Sequence, residues 1–96
     1  MRISFLELGG EFCTRRTSEA IPKIVERIEK AISENSKVIC DWNGVKILTP
    51  SFIDEIVPQI IIKYGKAKYD ETVSFEPQLT GFLANQVVRG VVNRSS

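Results

Sequence analysis

The sequence predicts an α/β fold in which a mixed β-sheet of about four strands is flanked by about three helices. Two observations support this prediction. Apolar residues recur at spacings of three and four in three segments, which is the helical period, and short runs rich in β-branched residues alternate with those segments. A chain of 96 residues suits one domain with one core, so residues 1–96 are expected to form a single domain.

The N-terminal residues predict a β-hairpin. Residues 3–8 mix β-branched and aromatic residues, and Gly9 and Gly10 follow them. Two glycines suit the positive φ angles of a two-residue turn, so residues 11–15 are expected to return as a short antiparallel strand.

The next two elements are a helix and a central strand. Thr17 or Ser18 offers an N-cap. The buried stripe of this helix is expected to contain Ile21, Ile24, Val25, Ile28, Ala31 and Ile32. Residues 37–42 form a largely apolar run that is typical of a central strand covered on both faces.

A second helical stripe contains Ile53, Ile56, Val57, Ile60 and Ile61. Pro58 falls inside it and lacks an N–H, so the helix is expected to kink or restart near Val57. Two interpretations of Pro58 remain open: a tolerated kink on the solvent side, or a freed carbonyl that shapes a groove for a partner.

The last third of the chain predicts a loop, a strand and a helix. Lys63, Lys66 and Lys68, followed at once by acids, indicate a solvated loop, and residues 72–75 indicate a short strand. Pro77 is expected to open the last helix. Its inward-facing residues are expected to be Leu79, Phe82, Leu83, Val87 and Val91.

Composition argues against several classes of function. The net charge is +1 with scattered bases, so no nucleic acid is expected as a partner. Two cysteines without any histidine favour neither a disulfide framework nor a zinc site. No apolar run approaches the roughly 18 residues that span a bilayer, and the N-terminal residues do not resemble a signal peptide. A cytoplasmic protein with no membrane contact is expected.

The segment DWNGVKILTPSFIDE, residues 41–55, raises the question of what Ser51 does. Ser51 precedes a helix and Asp54 stands three residues later, which is a capping-box spacing with a shorter acid. A phosphoserine is the second interpretation, because phosphate at a helix start next to Asp54 and Glu55 would reshape an exposed surface.

Catalysis is the third interpretation of Ser51. A nucleophilic serine needs a base, and the chain has no histidine. Asp41, Asp54 and Glu55 offer a magnesium pocket, although adjacent helical residues diverge by about 100°. Arg15 is expected to pair with Asp41 or Asp54 rather than to bind an anion.

Three more side chains in this segment have structural interpretations. Trp42 is expected to be a half-buried cover at the end of the sheet rather than an anchor for a partner. Gly44 is expected to occupy a turn with positive φ. Phe52 is expected to lie partly in the core and partly at the surface.

Residues 38–45 together with residues 51–55 resemble the STAS-like domain family of unknown function. That family shows an apolar strand ending in Asp and an aromatic, then a Gly-Val pair, then Ser-Phe-x-Asp-Glu at the next helix. Phe12, Thr14 and Arg15 match its N-terminal signature, and the resemblance extends over residues 8–92. It implies a STAS-like mixed sheet related to the anti-sigma factor antagonists and to the cytosolic domains of sulfate transporters.

The resemblance also implies a function and a site. Domains of this kind bind partners rather than catalyse reactions, and in the antagonists a partner kinase phosphorylates the serine that Ser51 matches. We therefore expect no enzyme activity and no cofactor, but a regulatory protein-interaction module, anti-sigma-factor-antagonist-like and switched at Ser51. Its expected partner is a kinase-like ATPase or an anti-sigma-type regulator. The expected partner-binding residues are Asn43, Gly44, Thr49, Pro50, Ser51, Phe52, Asp54 and Glu55.

Two alternatives stay open at the level of sequence. One is a small enzyme or a magnesium- or nucleotide-responsive domain that uses Asp41, Asp54 and Ser51. The other is a self-associating structural subunit, a homo-oligomer that pairs through exposed edge strands and the apolar last helix.

Overall fold

A computed structural model describes residues 1–14 and 19–95. The α/β class is confirmed, with five strands divided between two small sheets in the described residues. In chain order the elements are β1 (Arg2–Ser4), α1 (Phe5–Gly9), β2 (Phe12–Cys13), α2 (Ala20–Ser33), β3 (Val38–Asp41), β4 (Ile47–Leu48), α3 (Pro50–Asp54), α4 (Val57–Tyr64), α5 (Lys66–Thr72), β5 (Val73–Glu76) and α6 (Phe82–Ser95).

The larger sheet has the strand order β1-β3-β5, and both of its strand pairs are parallel. Ile3 lies opposite Cys40, and Cys40 lies opposite Phe75. The central position predicted for residues 37–42 is confirmed, because β3 pairs on both sides and buries Val38 and Cys40. Parallel neighbours need crossover connections, which the helices between the strands supply.

The predicted N-terminal hairpin is wrong. The chain turns into α1 straight after β1, because the Ser4 hydroxyl accepts a hydrogen bond from the Glu7 N–H at 3.2 Å and so caps a helix. Gly10 then adopts a φ of 77° at the C-cap of α1. The second strand, β2, pairs in parallel with β4, with Phe12 opposite Ile47.

The first long helix is confirmed as α2, which buries Ala20, Ile24, Ile28, Ala31 and Ile32. The capping role predicted for Thr17 or Ser18 and the pairing predicted for Arg15 lie outside the described residues.

The predicted restart of the second helix is confirmed. The helix breaks after α3, and α4 begins at Val57 with Pro58 in its first turn, where backbone N–H groups have no intrahelical partner and a missing N–H is tolerated. The predicted solvent-side position of Pro58 is wrong, because its side chain is buried. A β-carbon built on Gly90 of α6 would collide with Pro58, so α6 passes directly over this break.

Two predictions for the C-terminal third need correction. The predicted loop after Lys63 contains the helix α5, which Lys66 and Asp70 support by an ion pair of 2.5 Å at i, i+4 spacing. The predicted strand is confirmed as β5. The last helix starts at Phe82 instead of Pro77, and Phe82 is 83% exposed, so its predicted inward orientation is wrong.

The core lies between the larger sheet and the helices. Phe5 stands at its centre, and its ring makes edge-on contacts with Phe52 and Phe75, each with ring centroids 5.9 Å apart. The predicted division of Phe52 between core and surface is wrong, because the side chain is fully buried. Within residues 1–14 and 19–95, no helix combines the length and apolar character that a membrane crossing would require.

Candidate functional site

The loop between β3 and β4 is fixed at its first turn by Asp41. One carboxylate oxygen accepts the backbone N–H of Asn43 at 2.9 Å and its side-chain amide at 2.8 Å. Arg2 donates to the other oxygen at 3.1 Å. The hydrogen bonds from Asn43, followed by the interaction with Arg2, lower the pKa of Asp41. This carboxylate therefore remains charged and holds the turn.

Two further predictions about this loop are confirmed. Gly44 has a φ of 84°, and a β-carbon there would lie 2.9 Å from Leu6, so only glycine suits both the backbone and the contact. Trp42 is half-buried, and its indole N–H donates to the carbonyl of Pro77 at 2.6 Å. This bond ties the end of β3 to the segment that follows β5.

Helix α3 begins two residues earlier than the capping-box interpretation of Ser51 requires. Thr49 is the N-cap, and its hydroxyl accepts the Phe52 N–H at 3.3 Å. Pro50 fills the first helical position, where its fixed φ and missing N–H are favourable. Ser51 is therefore the second helical residue, and the prediction that it caps the helix is wrong.

The Ser51 side chain is half-buried at the start of α3. Its hydroxyl lies 3.1 Å from the Thr49 hydroxyl, and either oxygen can donate. Thr49 also donates its N–H to the Cys13 carbonyl at 3.1 Å, which joins the end of β2 to the start of this helix. Ser51 consequently stands next to the smaller sheet.

Asp54 does not reach back toward Ser51. Its carboxylate accepts from Gln86 at 3.2 Å and from Arg94 at 3.0 Å, both on α6. Glu55 instead lines a groove of about 410 Å³ between α2 and α4, together with Val25 and Gln59. The two neighbouring acids thus serve different sides of the molecule, as their angular separation predicts.

The eight residues predicted to bind a partner therefore do not share one surface. Asn43, Gly44 and Pro50 are exposed on the loop and the start of α3, and Thr49 and Ser51 are half-buried beside them. The side chain of Phe52 is buried in the core and would not reach a partner, and Asp54 and Glu55 lie under α6 and toward α2 as described above.

The magnesium pocket that the sequence suggested is not assembled. Asp41 bonds to Arg2 and Asn43, whereas Asp54 bonds to Arg94 and Gln86, so each carboxylate already faces its own arginine. In the part of the chain that the structure describes, no three Cys, Asp or Glu side chains are grouped closely enough to hold a metal ion.

The smaller sheet is a candidate surface that the sequence did not reveal. Phe12 of β2 and Ile47 of β4 lie opposite each other in register, so they share one face, and they are 53% and 48% exposed. Cys13 is buried and Leu48 is half-buried on the other face. Each strand has two residues, which is too short for alternation to be seen in the sequence.

Comparison with protein families matched residues 22–76 to the family described as STAS-like domain of unknown function (DUF4325). The match runs from Pro22 in the first turn of α2 to Glu76 at the end of β5, which is more than half of the 96 residues. Comparison with curated proteins gave no match, and comparison with solved structures gave none either.

Proposed function

This chain belongs to the family of STAS-like domains of unknown function, and from that membership we propose that it is a regulatory protein-interaction module rather than an enzyme. The observation that carries the proposal is the exposed apolar pair Phe12 and Ile47 of the smaller sheet. This sheet is joined to the start of α3 by the hydrogen bond from Thr49 to Cys13, and the Thr49 hydroxyl contacts that of Ser51.

The proposed contact surface consists of Phe12, Ile47, Thr49, Pro50 and Ser51, and we name it the ribbon surface. Aromatic and aliphatic side chains at the centre of an interface, surrounded by polar groups, provide most of the binding energy in protein complexes. Phe12 and Ile47 supply the apolar centre, and the hydroxyls of Thr49 and Ser51 supply polar groups at its edge. The exposed turn residues Asn43 and Gly44 extend the same loop.

Ser51 is the proposed switch within the ribbon surface. Phosphorylation would replace the hydroxyl contact with Thr49 and add about −1.5 to −2 charges beside an apolar pair. Such charge disfavours contact with an apolar partner surface, because the phosphate would lose hydrating water without gaining a polar partner. The unmodified module is therefore the form that binds, and the phosphorylated module is the released form.

The proposed partner is a kinase-like ATPase or an anti-sigma-type regulator, which follows from the resemblance to anti-sigma factor antagonists. A kinase of this kind needs ATP, so the proposal includes a cytoplasmic location. The half-buried position of Ser51 favours modification by a dedicated kinase that recognises the ribbon surface as a whole.

The test is affinity capture from the native host with three variants of the full chain beside the wild type. Ile47→Asp disrupts the apolar centre, and Ser51→Asp mimics the charge of phosphate. Ile62→Asp is the matched control, because Ile62 is an exposed isoleucine on α4. Recovery of the captured ATPase or regulator is expected to fall about tenfold with the first two baits and to stay unchanged with the third.

Mass spectrometry of the chain isolated from its host tests the switch separately, and a phosphate on Ser51 is the expected finding. Circular dichroism of each bait tests whether the variant is folded, so that a lost interaction is not confused with unfolding. Equal capture by all four baits, or capture of nothing by the wild type, would refute the ribbon surface as the contact site.

A further inference from the structure

Helices α4 and α6 border an apolar groove of about 250 Å³ on a different part of the molecule. Its lining residues are Ile61, Lys66, Val87, Val88, Val91 and Val92. Val88 and Val92 are 63% and 61% exposed and stand four residues apart, so they form a continuous apolar strip on one face of α6. None of these residues belongs to the ribbon surface.

Val88 and Val92 do not pack in the hydrophobic core. Helix α6 packs through Gly90, which is buried against Pro58, and through Arg94, which bonds to Asp54. Val88 and Val92 therefore leave most of their apolar surface in contact with solvent. Contiguous exposed apolar surface of this kind marks binding sites in soluble proteins.

In the described part of the chain, one basic residue on the helices that border the groove has no acidic partner, whereas the groove-lining Lys66 of α5 is paired with Asp70 at 2.5 Å. Helices α4 and α6 contain three basic residues, Lys63, Arg89 and Arg94, and no acidic residue. Lys63 is paired with Glu29 at 2.7 Å and Arg94 with Asp54 at 3.0 Å. Arg89 makes no ion pair among the described residues, and it lies next to Val88 in the sequence.

We propose that the α4–α6 groove binds an amphipathic helix of a partner protein, with apolar residues against Val88 and Val92 and acidic residues facing Arg89. A groove between two helices accepts a third helix as an apolar ridge with residues at i, i+3, i+4 and i+7. The unpaired arginine and the absence of acid on both bordering helices select negative charge on the flank of that helix.

A second copy of this chain fits the groove less well. A two-fold contact through Val88 and Val92 would bring the same face of both α6 helices together, and with it Arg89 of each copy. Neither α4 nor α6 contains an acid that would neutralise these arginines. Like charges at such a contact oppose association, so the chemistry of the groove favours a different, acidic helix.

The experiment uses two labelled synthetic helices of about 18 residues that share one leucine stripe, flanked by glutamates in one peptide and by lysines in the other. Binding to the full chain is measured by fluorescence anisotropy at low salt. The wild type is expected to bind the glutamate peptide about tenfold more tightly than the lysine peptide, and Arg89→Glu is expected to abolish or reverse that preference.

Two further variants separate the groove from other surfaces. The double substitution Val88→Ser with Val92→Ser removes the apolar strip without adding charge, and it is expected to weaken binding of the glutamate peptide about tenfold. Ile47→Asp is the control, and it is expected to leave this binding unchanged even though it disrupts the ribbon surface.

Three results would overturn the proposal: neither peptide binds, both bind equally to the wild type, or the double serine variant binds as the wild type does. Light scattering of the chain alone gives its oligomeric state and so tests whether a second copy of the chain occupies the groove. A wild-type dimer that becomes a monomer in the double serine variant would show that the chain itself covers the groove, which also overturns the proposal.

Discussion

At the scale of single residues, the Thr-Pro pair before Ser51 decides where α3 begins. Proline is favourable at the first helical position, so the residue before it becomes the N-cap. Thr49 fills that role, because its hydroxyl accepts the Phe52 N–H, and among the described residues the Ser51 side chain has a hydroxyl–hydroxyl contact with Thr49 instead of a capping bond. Ser51 therefore does not cap the helix, although its spacing from Asp54 suggested that role. Substitutions of Ser51 can consequently test its function without removing the helix cap.

Alanine substitutions at these two positions are expected to differ in their effect on stability. Thr49→Ala removes the cap and is expected to lower the free energy of unfolding by about 1 kcal/mol. Ser51→Ala removes one half-buried contact and is expected to lower it by less than about 0.5 kcal/mol. Urea unfolding of both variants at pH 7 measures the difference. A larger loss for Ser51→Ala would mean that Ser51, not Thr49, caps the helix.

At the scale of elements, the break between α3 and α4 and the glycine in α6 form one packing unit. Pro58 ends the continuity of the second helix, and its buried ring faces Gly90. Because glycine has no side chain, the backbone of α6 approaches closely enough for Arg94 and Gln86 to bond to Asp54. The proline thus supports the docking of the last helix rather than a kink in solvent.

Gly90→Ala is expected to destabilise the protein. The added β-carbon would lie 2.5 Å from the Asp54 carboxylate and 2.9 Å from Pro58 Cβ, so α6 must shift. Overpacking of this kind costs about 1–3 kcal/mol, which exceeds the gain of up to about 1 kcal/mol from the better helix propensity of alanine. Urea unfolding gives the net loss, and Val92→Ala on the exposed face of α6 is the control, expected within about 0.5 kcal/mol of the wild type. A Gly90→Ala variant as stable as the wild type would contradict this packing.

At the scale of the whole molecule, the sequence predicted the parts that depend on local pattern. The stripe from Ile24 to Ile32 identified α2, and the apolar run at Val38 identified the central strand, because amphipathic period and burial are encoded locally. The pairing of β2 with β4 was not predictable in this way, since a two-residue strand has no period and parallel pairing joins distant segments.

The candidate site was predictable in the same limited sense. The turn at Asn43 and the presence of a helix start near Ser51 followed from turn and capping signals, although the capping residue is Thr49 rather than Ser51. The exposure of Phe12 and Ile47 depends on the tertiary fold, and so does the burial of Phe52. Only the assembled chain shows which apolar residues remain outside the core.

The two buried thiols make the stability of the whole molecule sensitive to alkaline pH. Burial raises the pKa of Cys40 to about 12 from 9.0, and it also raises the pKa of Cys13. Above pH 9.0 the unfolded chain releases a proton that the folded chain retains, so stability is full below this pH and falls as the pH rises toward 12.

Cys40→Ala is therefore expected to flatten this dependence. The cavity left by the smaller side chain lowers stability at every pH, so the informative quantity is the change with pH rather than the stability itself. Between about pH 8 and pH 10, the wild type is expected to lose about 1.4 kcal/mol more free energy of unfolding than the variant, because one pH unit of differential protonation is equivalent to that energy. Urea unfolding at intervals across this range measures both curves, and Cys13 and the tyrosines titrate in both proteins and cancel in the difference. Parallel curves would show that the Cys40 thiol ionises as readily in the folded chain as in the unfolded one, which is incompatible with its burial in the central strand.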